Sequence, residues 1–288
     1  MTNKHYIFYN SADSKHNSSE YAELFSIVLE TEPEFIDICD EYQPKSFLGS
    51  YEPGRSAIIC GGDNTLSWFI NHIYPSADFA GISFCTCDTG SDFSLDINAA
   101  DVLIDITEHL RHLPSAIVNF RDYKFINGIG FGLDVNFYDS TPVYANLIGK
   151  LRAKGKIPPK EYVFRYDPVD IEAEVDGVRY TFENVWVAPI MNGRYYSDGM
   201  MIAPNQNRSN EDGTLSLVVL HNAKKWRAFR ILKSLYRERD RSGCRKLDIL
   251  CGCDITVRLS KPANIHLDGN TLFNVDGYHA TALPLTDR

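Results

Sequence analysis

Nowhere in the 288 residues does an apolar run approach the ~20 residues that a membrane-spanning helix needs, which excludes an ordinary helical membrane protein. The opening stretch, Met1 to Tyr9, lacks a long apolar segment followed by small residues, so no secretory signal is expected and the cytoplasm is the expected compartment. Cysteine is sparse and odd in number. Seven scattered residues argue against a disulfide framework and for a reducing environment. Basic residues are outnumbered, 29 Lys and Arg against 38 Asp and Glu, and the net charge of −9 lacks the cationic surplus with which a general nucleic-acid binder grips phosphates. Internal repeats and low-complexity linkers are missing as well.

What is present reads as a globular protein, 44% hydrophobic and 23% charged. The length exceeds the ~100 to 200 residues usual for one domain, so two units are expected. The first third alternates strand-like runs (HYIFYN, RSAIICGGD, GISFCTC) with helix-like ones (EYAELFSIVLE, TLSWFINHI), a pattern that predicts a parallel sheet flanked by helices. After about residue 118 the texture turns β-branched and aromatic, in runs such as YKFINGIGFGLDVNFY, TLSLVVLH and KLDILCGCDITVRL. Such runs, broken by turn residues, predict an antiparallel sandwich or barrel. The expected fold class is α/β plus all-β: residues 1–120 as an α/β domain, residues 121–281 as a β-sandwich, and 282–288 returning to the first.

Two Cys-x-Cys pairs, Cys85/Cys87 and Cys251/Cys253, lie in strand-like runs, where alternate residues share a face and buried thiols act as small hydrophobes. Structural zinc ligands usually have two to four residues between them, and here there is one, so the pairs are read as core residues. Between Lys224 and Lys246 eight further basic residues meet only Glu238 and Asp240. Trp226, Phe229, Leu232 and Tyr236, three or four apart, predict an amphipathic helix with a cationic side, suited either to packing on the sandwich or to an anionic lipid surface.

The strongest local signal is Ser56-Ala-Ile-Ile-Cys-Gly-Gly-Asp-Asn-Thr65, a buried-strand pattern running through glycines into a helical one. A strand-turn-helix junction of this kind aims backbone N–H groups and the positive end of the helix dipole at phosphate. Gly61 and Gly62 would admit a nucleotide close to the backbone, Asp63 could act on a metal or a hydroxyl, and Thr65 could cap the helix. A plain glycine-containing turn is the alternative.

This segment resembles the GGDGT nucleotide-binding signature shared by diacylglycerol kinases, sphingosine kinases and, more distantly, NAD kinases. Asp88-Thr-Gly-Ser-Asp-Phe-Ser94 is similar to the GTGNDFA segment of the diacylglycerol kinase family, and Phe125-Ile-Asn-Gly-Ile-Gly-Phe-Gly-Leu-Asp134 to its F-x-N-x-x-G-x-G-x-D stretch. Met191-Asn-Gly-Arg194, the run from Asp198 to Pro204, and Glu211-Asp-Gly-Thr-Leu215 resemble its N-G and DG-x-L region, and Ile7-Phe-Tyr-Asn10 its opening strand. The resemblance implies an ATP- and Mg²⁺-dependent lipid kinase, with ATP and a lipid headgroup meeting between an α/β domain and a β-sandwich. It further implies diacylglycerol or another long-chain lipid alcohol as substrate at the membrane surface, with peripheral contact through 224–246 and a homodimer as one admissible assembly. By the same resemblance the nucleotide lies on Asn10, Gly61, Gly62, Asp63, Asn64, Thr65, Thr89, Ser91 and Asp92. Asp63, Asp92 and Asp134 form an acidic network around Mg²⁺, and Asp212 with the carbonyls of Ser209 and Thr214 forms a structural metal site, although Glu211-Asp212-Gly213 also reads as an ordinary turn.

Four departures stand out. Asn270, in Asp268-Gly-Asn270, occupies the position of the family's catalytic Glu, and an amide accepts no proton near neutral pH. Asp268 or Asp63 would have to serve as base; otherwise the chain binds nucleotide with weak or no transfer, and an NAD kinase rests on the first motif alone. Asn64 replaces a glycine but tolerates positive φ. Asp88 and Ser91 replace Gly and Asn, and Ser11 and Ser14 replace the Pro and Gly of the first loop.

Overall fold

A computed structural model describes residues 5–12, 18–28, 33–40, 43–86, 91–132, 163–164, 166–197, 199–235 and 244–282. Two compact units divide the chain, Met1–Leu113 and Pro114–Arg288.

The first unit holds strands β1 (His5–Tyr9), β2 (Glu34–Asp37), β3 (Ser56–Gly61), β4 (Ile82–Thr86) and β5 (Leu103–Asp105), with helices α1 (Ser18–Val28), α2 (Gln43–Ser50), α3 (Asp63–His72), α4 (Asp92–Asp96) and α5 (Thr107–Leu110). The sheet order is β2-β1-β3-β4-β5, parallel except for β5, which runs against β4. After Ser56, β3 is apolar because a central strand is covered on both faces, and Ala57 to Gly61 are all buried. The two faces of β1 serve two cores. Tyr6 and Phe8 meet Phe47 of α2 and Phe69 of α3 edge to face, at 4.9 Å for Tyr6–Phe47 and 5.0 Å for Phe8–Phe69, while Ile7 packs with Ala22, Phe25, Ile58, Cys60 and Cys85. α3 is helical for an ordinary reason: Leu66, Phe69, Ile70 and Ile73 are spaced to form one stripe, and all four are buried. Each such side chain contributes about 1.5–3 kcal/mol on burial.

The second unit is antiparallel at every strand pairing described. Its elements are β6 (Ser115–Val118), β7 (Arg121–Lys124), β8 (Gly128–Gly132), β9 (Val169–Val175), β10 (Val178–Met191), β11 (Tyr195–Tyr196), β12 (Met200–Met201), β13 (Leu215–His221), α6 (Lys225–Leu235), β14 (Leu247–Gly252), β15 (Asp254–Leu267) and β16 (Asn270–Thr281). The main sheet runs β14-β13-β10-β8-β15-β16-β6-β7, with β9 joining β10 to β15. The two 14-residue strands carry this arrangement. β10 pairs with β9 over Val178–Val185 and with β8 over Val187–Met191, and β15 likewise pairs with β9 over Ile255–Leu259 and with β8 over Ile265–Leu267. Register shifts between Val185 and Val187 and between Arg258 and Ala263 fall where the partners change. Gly130 is required by this packing: a Cβ there would stand 2.8 Å from Ala188 O and 2.9 Å from Pro189 N.

The unit boundary precedes the expected 120/121 because β6 pairs with β16 through Val118↔Tyr278 to Ser115↔Thr281. Of the segment expected to return to the first unit, residues 283–288 lie outside the described residues, and Ala282 donates its N–H to Cys253 O at 3.0 Å. The reading of both Cys-x-Cys pairs as core needs correction. Cys85 is buried, but Cys251 is exposed and Cys253 only partly covered, while Cys87 lies outside the described residues. Cys251 lies in β14, the last strand of the sheet, and Cys253 in the turn that leads to β15.

Candidate functional site

In the first unit the candidate residues collect at the carboxyl ends of the parallel strands. From β1 the chain passes to β2 on one side, and β3 adds on the other, so the order of strands reverses between β1 and β3. Open α/β sheets bind ligands outside the strand ends at such a reversal. Asn10 follows β1, and Tyr9 pairs with Cys60, the residue before Gly61, so the two turns are neighbours. Asn10 Oδ1 accepts from Ala12 N at 3.0 Å and from Cys39 Sγ at 2.8 Å, which fixes the turn that leaves the sheet. Beside it, burial first and the Asp37 carboxylate second raise the Tyr9 phenol above its ordinary value.

Gly61 must be glycine, because a Cβ would meet Thr65 Oγ1 and stand 2.7 Å from Thr65 Cβ. α3 begins at Asp63 with Gly62 as its cap residue, and no side chain caps it. Thr65 is therefore inside the first turn and not the cap expected from the sequence; it is buried, its N–H bonds Gly62 O at 3.0 Å, and its Oγ1 has no partner among the described residues. Asp63 is the residue that joins this turn to the next one. Its Oδ1 accepts from Ser91 Oγ at 2.6 Å and its Oδ2 from Asp92 N at 2.7 Å and Phe93 N at 3.4 Å, while Ser91 Oγ accepts from Ser94 N at 3.1 Å and caps α4. One carboxylate thus ties the head of α3 to the head of α4, and brings Gly61, Gly62, Asp63, Asn64 and Thr65 together with Ser91 and Asp92. Asp92 is 7% exposed. Thr89 and Asp134 lie outside the described residues.

The second unit has its own cluster, built around the turn between β15 and β16. Asp268 and Gly269, at φ 45° and 84°, are the two central residues of a two-residue hairpin, for which Asp-Gly is a favoured pair. The Asp268 carboxylate accepts three backbone N–H groups, from Ile126 at 2.6 Å, Asn127 at 2.8 Å and Gly128 at 3.0 Å, and Asp268 N donates to Gly128 O at 3.2 Å. It is 5% exposed. Three of the four lone-pair positions of the carboxylate are taken in this way, so the geometry makes Asp268 a brace of the 126–128 turn. Asn270, half-buried, opens β16 opposite Leu267.

The clamped 126–128 segment is held on its other side by residues to which the sequence assigned no role. Asn192 Nδ2 and Arg208 Nη1 both donate to Ile126 O at 3.0 Å, and Arg208 Nη2 donates to Asn127 Oδ1 at 3.1 Å. Asn192 sits in the Met191-Asn-Gly-Arg194 run. Arg208 carries no local signal, because its partners lie about eighty positions earlier.

The expected metal site at Ser209, Asp212 and Thr214 does not fit a cation. Thr214 O already accepts from Gln206 Nε2 and Asn210 Nδ2, both at 2.8 Å, and Asp212 O accepts from Cys253 Sγ at 3.2 Å. No group of three or more His, Cys, Asp or Glu able to hold a metal occurs among the described residues. α6 buries Ala228, Ile231, Leu232 and Leu235 in the core, which answers to the packed reading of the basic segment, and exposes Lys224, Lys225, Trp226, Arg227 and Arg230. Trp226 stands against Phe164 at 4.9 Å. Residues 236–243 lie outside the described residues.

Residues 155–287 match the family model of the YegS C-terminal NAD kinase β-sandwich-like domain. A Bacillus subtilis (strain 168) protein named "Putative lipid kinase YtlR" is 26% identical over 184 residues, 58% of this chain and 59% of that protein, so the match spans about six-tenths of the relative. Two solved structures of a "putative diacylglycerol kinase" from Bacillus anthracis (strain Sterne) share the fold. They superpose with TM-scores of 0.66 and 0.67 at 16% identity, covering 98% of this chain and 95% and 94% of theirs.

Proposed function

We propose that this chain, a member of the diacylglycerol kinase-like lipid kinases, transfers the γ-phosphate of ATP to the hydroxyl of diacylglycerol or of another long-chain lipid alcohol. The observation that carries the reading is the Asp63 carboxylate, which holds the Gly61-Gly62 turn and the head of α4 as one rigid edge at the strand reversal. Such an edge suits a polyphosphate, because two helix heads converge there and the glycine turn leaves room for backbone approach. Mg²⁺ asks for one or two carboxylates beside the substrate phosphates, and Asp92 would supply one, while Asp63, whose oxygens accept from Ser91 Oγ and from the Asp92 and Phe93 N–H groups, would hold the turn beside it; the ion would neutralise charge on the phosphoryl group. Phosphoryl transfer needs little covalent help from protein, so positioning by Gly61 to Thr65, Ser91 and Asp92 is the main task of these residues. The exposed cations of α6, with Trp226, suit reversible contact with an anionic leaflet.

A second reading, nucleotide binding with little transfer, draws on Asn270 at the family's Glu position and on the engagement of the Asp268 carboxylate. Transfer of radiolabelled γ-phosphate from ATP into a mixed lipid extract separates the two. Labelled lipid that disappears with Asp63→Ala supports the kinase; ATP binding without labelled lipid supports the second reading. Because Asp63 also anchors α4, that variant should lose thermal stability as well as activity.

A further inference from the structure

We infer that the loop from Gln206 to Thr214 is locked by side-chain amides at the place where the family resemblance implies a cation, and that this lock sets Arg208 on the 126–128 turn. A carbonyl oxygen has two lone pairs, and both of those on Thr214 are occupied by amide N–H groups. The Asn210 side chain is fixed at both ends: Nδ2 donates to Asn207 O at 2.6 Å and to Thr214 O at 2.8 Å, and Oδ1 accepts from Thr214 N at 2.7 Å. Gln206 is 8% exposed, and its Oε1 accepts from the buried Ser216 Oγ at 2.6 Å, which ties the loop to β13. Asn207 Oδ1 accepts from Ser209 N at 3.1 Å and closes the loop's first turn. A hard cation of the calcium kind takes six to eight oxygens at about 2.3–2.6 Å, and here it would have to displace two amides and retain only Ser209 O and the exposed Asp212 carboxylate.

The lock has a function because Arg208 stands inside it. With Gln206, Asn207 and Asn210 pinned on either side, the guanidinium reaches Ile126 O and Asn127 Oδ1 in a two-pronged grip that a lysine cannot reproduce. Arg208 is thus a positioning residue for the segment that Asp268 clamps. This part rests on the proposed kinase reading; the lock itself does not.

The test uses the full chain without nucleotide. Thermal melting of chelator-treated protein should give the same midpoint with and without added Mg²⁺ or Ca²⁺, and Gln206→Ala should lower it by about 3–6 °C. A midpoint that rises by several degrees on adding either ion, or a tightly held cation found by elemental analysis and lost in Asp212→Ala, overturns the lock. In the lipid-phosphorylation assay Arg208→Lys should lower kcat about tenfold with the lipid KM unchanged, and full activity in that variant overturns the positioning role. Absence of transfer by the wild-type chain would refute the kinase reading while the melting result still decides the lock.

Discussion

Replacing Asp268 by Asn changes one atom in a buried, three-pronged acceptor, and the cost can be worked from the contacts. The amide can keep its oxygen toward Asn127 N and Gly128 N, now as a neutral acceptor, losing about 1 kcal/mol at each. Its NH2 group then faces Ile126 N–H, which previously met an oxygen at 2.6 Å. A buried donor left facing another donor costs about 1–3 kcal/mol, so the sum is about 3–5 kcal/mol. Against a total domain stability of about 5–15 kcal/mol, such a loss should shift urea unfolding of the second unit far to lower denaturant. The signal is available: in a Trp68→Phe background the remaining tryptophans, Trp186 and Trp226, both belong to the second unit. A loss below about 1 kcal/mol would refute the bracing role and reopen Asp268 as an acceptor for a substrate proton.

Asn270→Glu restores a proton acceptor at the turn and should raise lipid phosphorylation tenfold or more, read as labelled phosphatidic product, since general bases contribute about 10²–10⁴. Phe120→Gly should stabilise the second unit by about 0.5–1 kcal/mol in urea titration, because Phe120 sits at φ 62°, buries nothing at 103% exposure, and only Gly holds that backbone without Cβ strain. For Asp105, Thr107 N–H and Oγ1–H at 2.9 and 2.7 Å hold the carboxyl below its ordinary range. A depressed folded value gives stability that is present above the unfolded value, about pH 4, and lost as pH falls through the folded one. Asp105→Asn should therefore flatten the acid side of the first unit's stability profile, measured as urea midpoints on both sides of that pH.

Much of the fold was legible because the patterns that reveal it are local. Ala57 to Gly61 is apolar on both faces and Leu66 to Ile73 has helical spacing; each requirement is satisfied within a few residues. The roles that were missed depend on distant partners. Asp268 reads as a candidate base, and its bracing role shows only in the three N–H groups it accepts from residues 126–128; nothing near Arg208 announces its grip on Asn127. Thr65 reads as a cap because a hydroxyl three residues past a glycine pair fits that template; the helix in fact starts at Asp63. The boundary between the units is soft in the sequence between Pro114 and Arg121, and only the pairing of β6 with β16 assigns that strand to the second unit.

That pairing also bears on how the polypeptide matures. Ser115 and Thr281 are hydrogen-bonded neighbours 166 positions apart, and the Asp268 brace spans a comparable interval. During synthesis β6 must wait until β16 has been made before its second partner arrives. Meanwhile the early β6–β7 hairpin has an unsatisfied edge, which makes nascent or truncated polypeptides ending before β16 candidates for aggregation, whatever the finished protein's solubility.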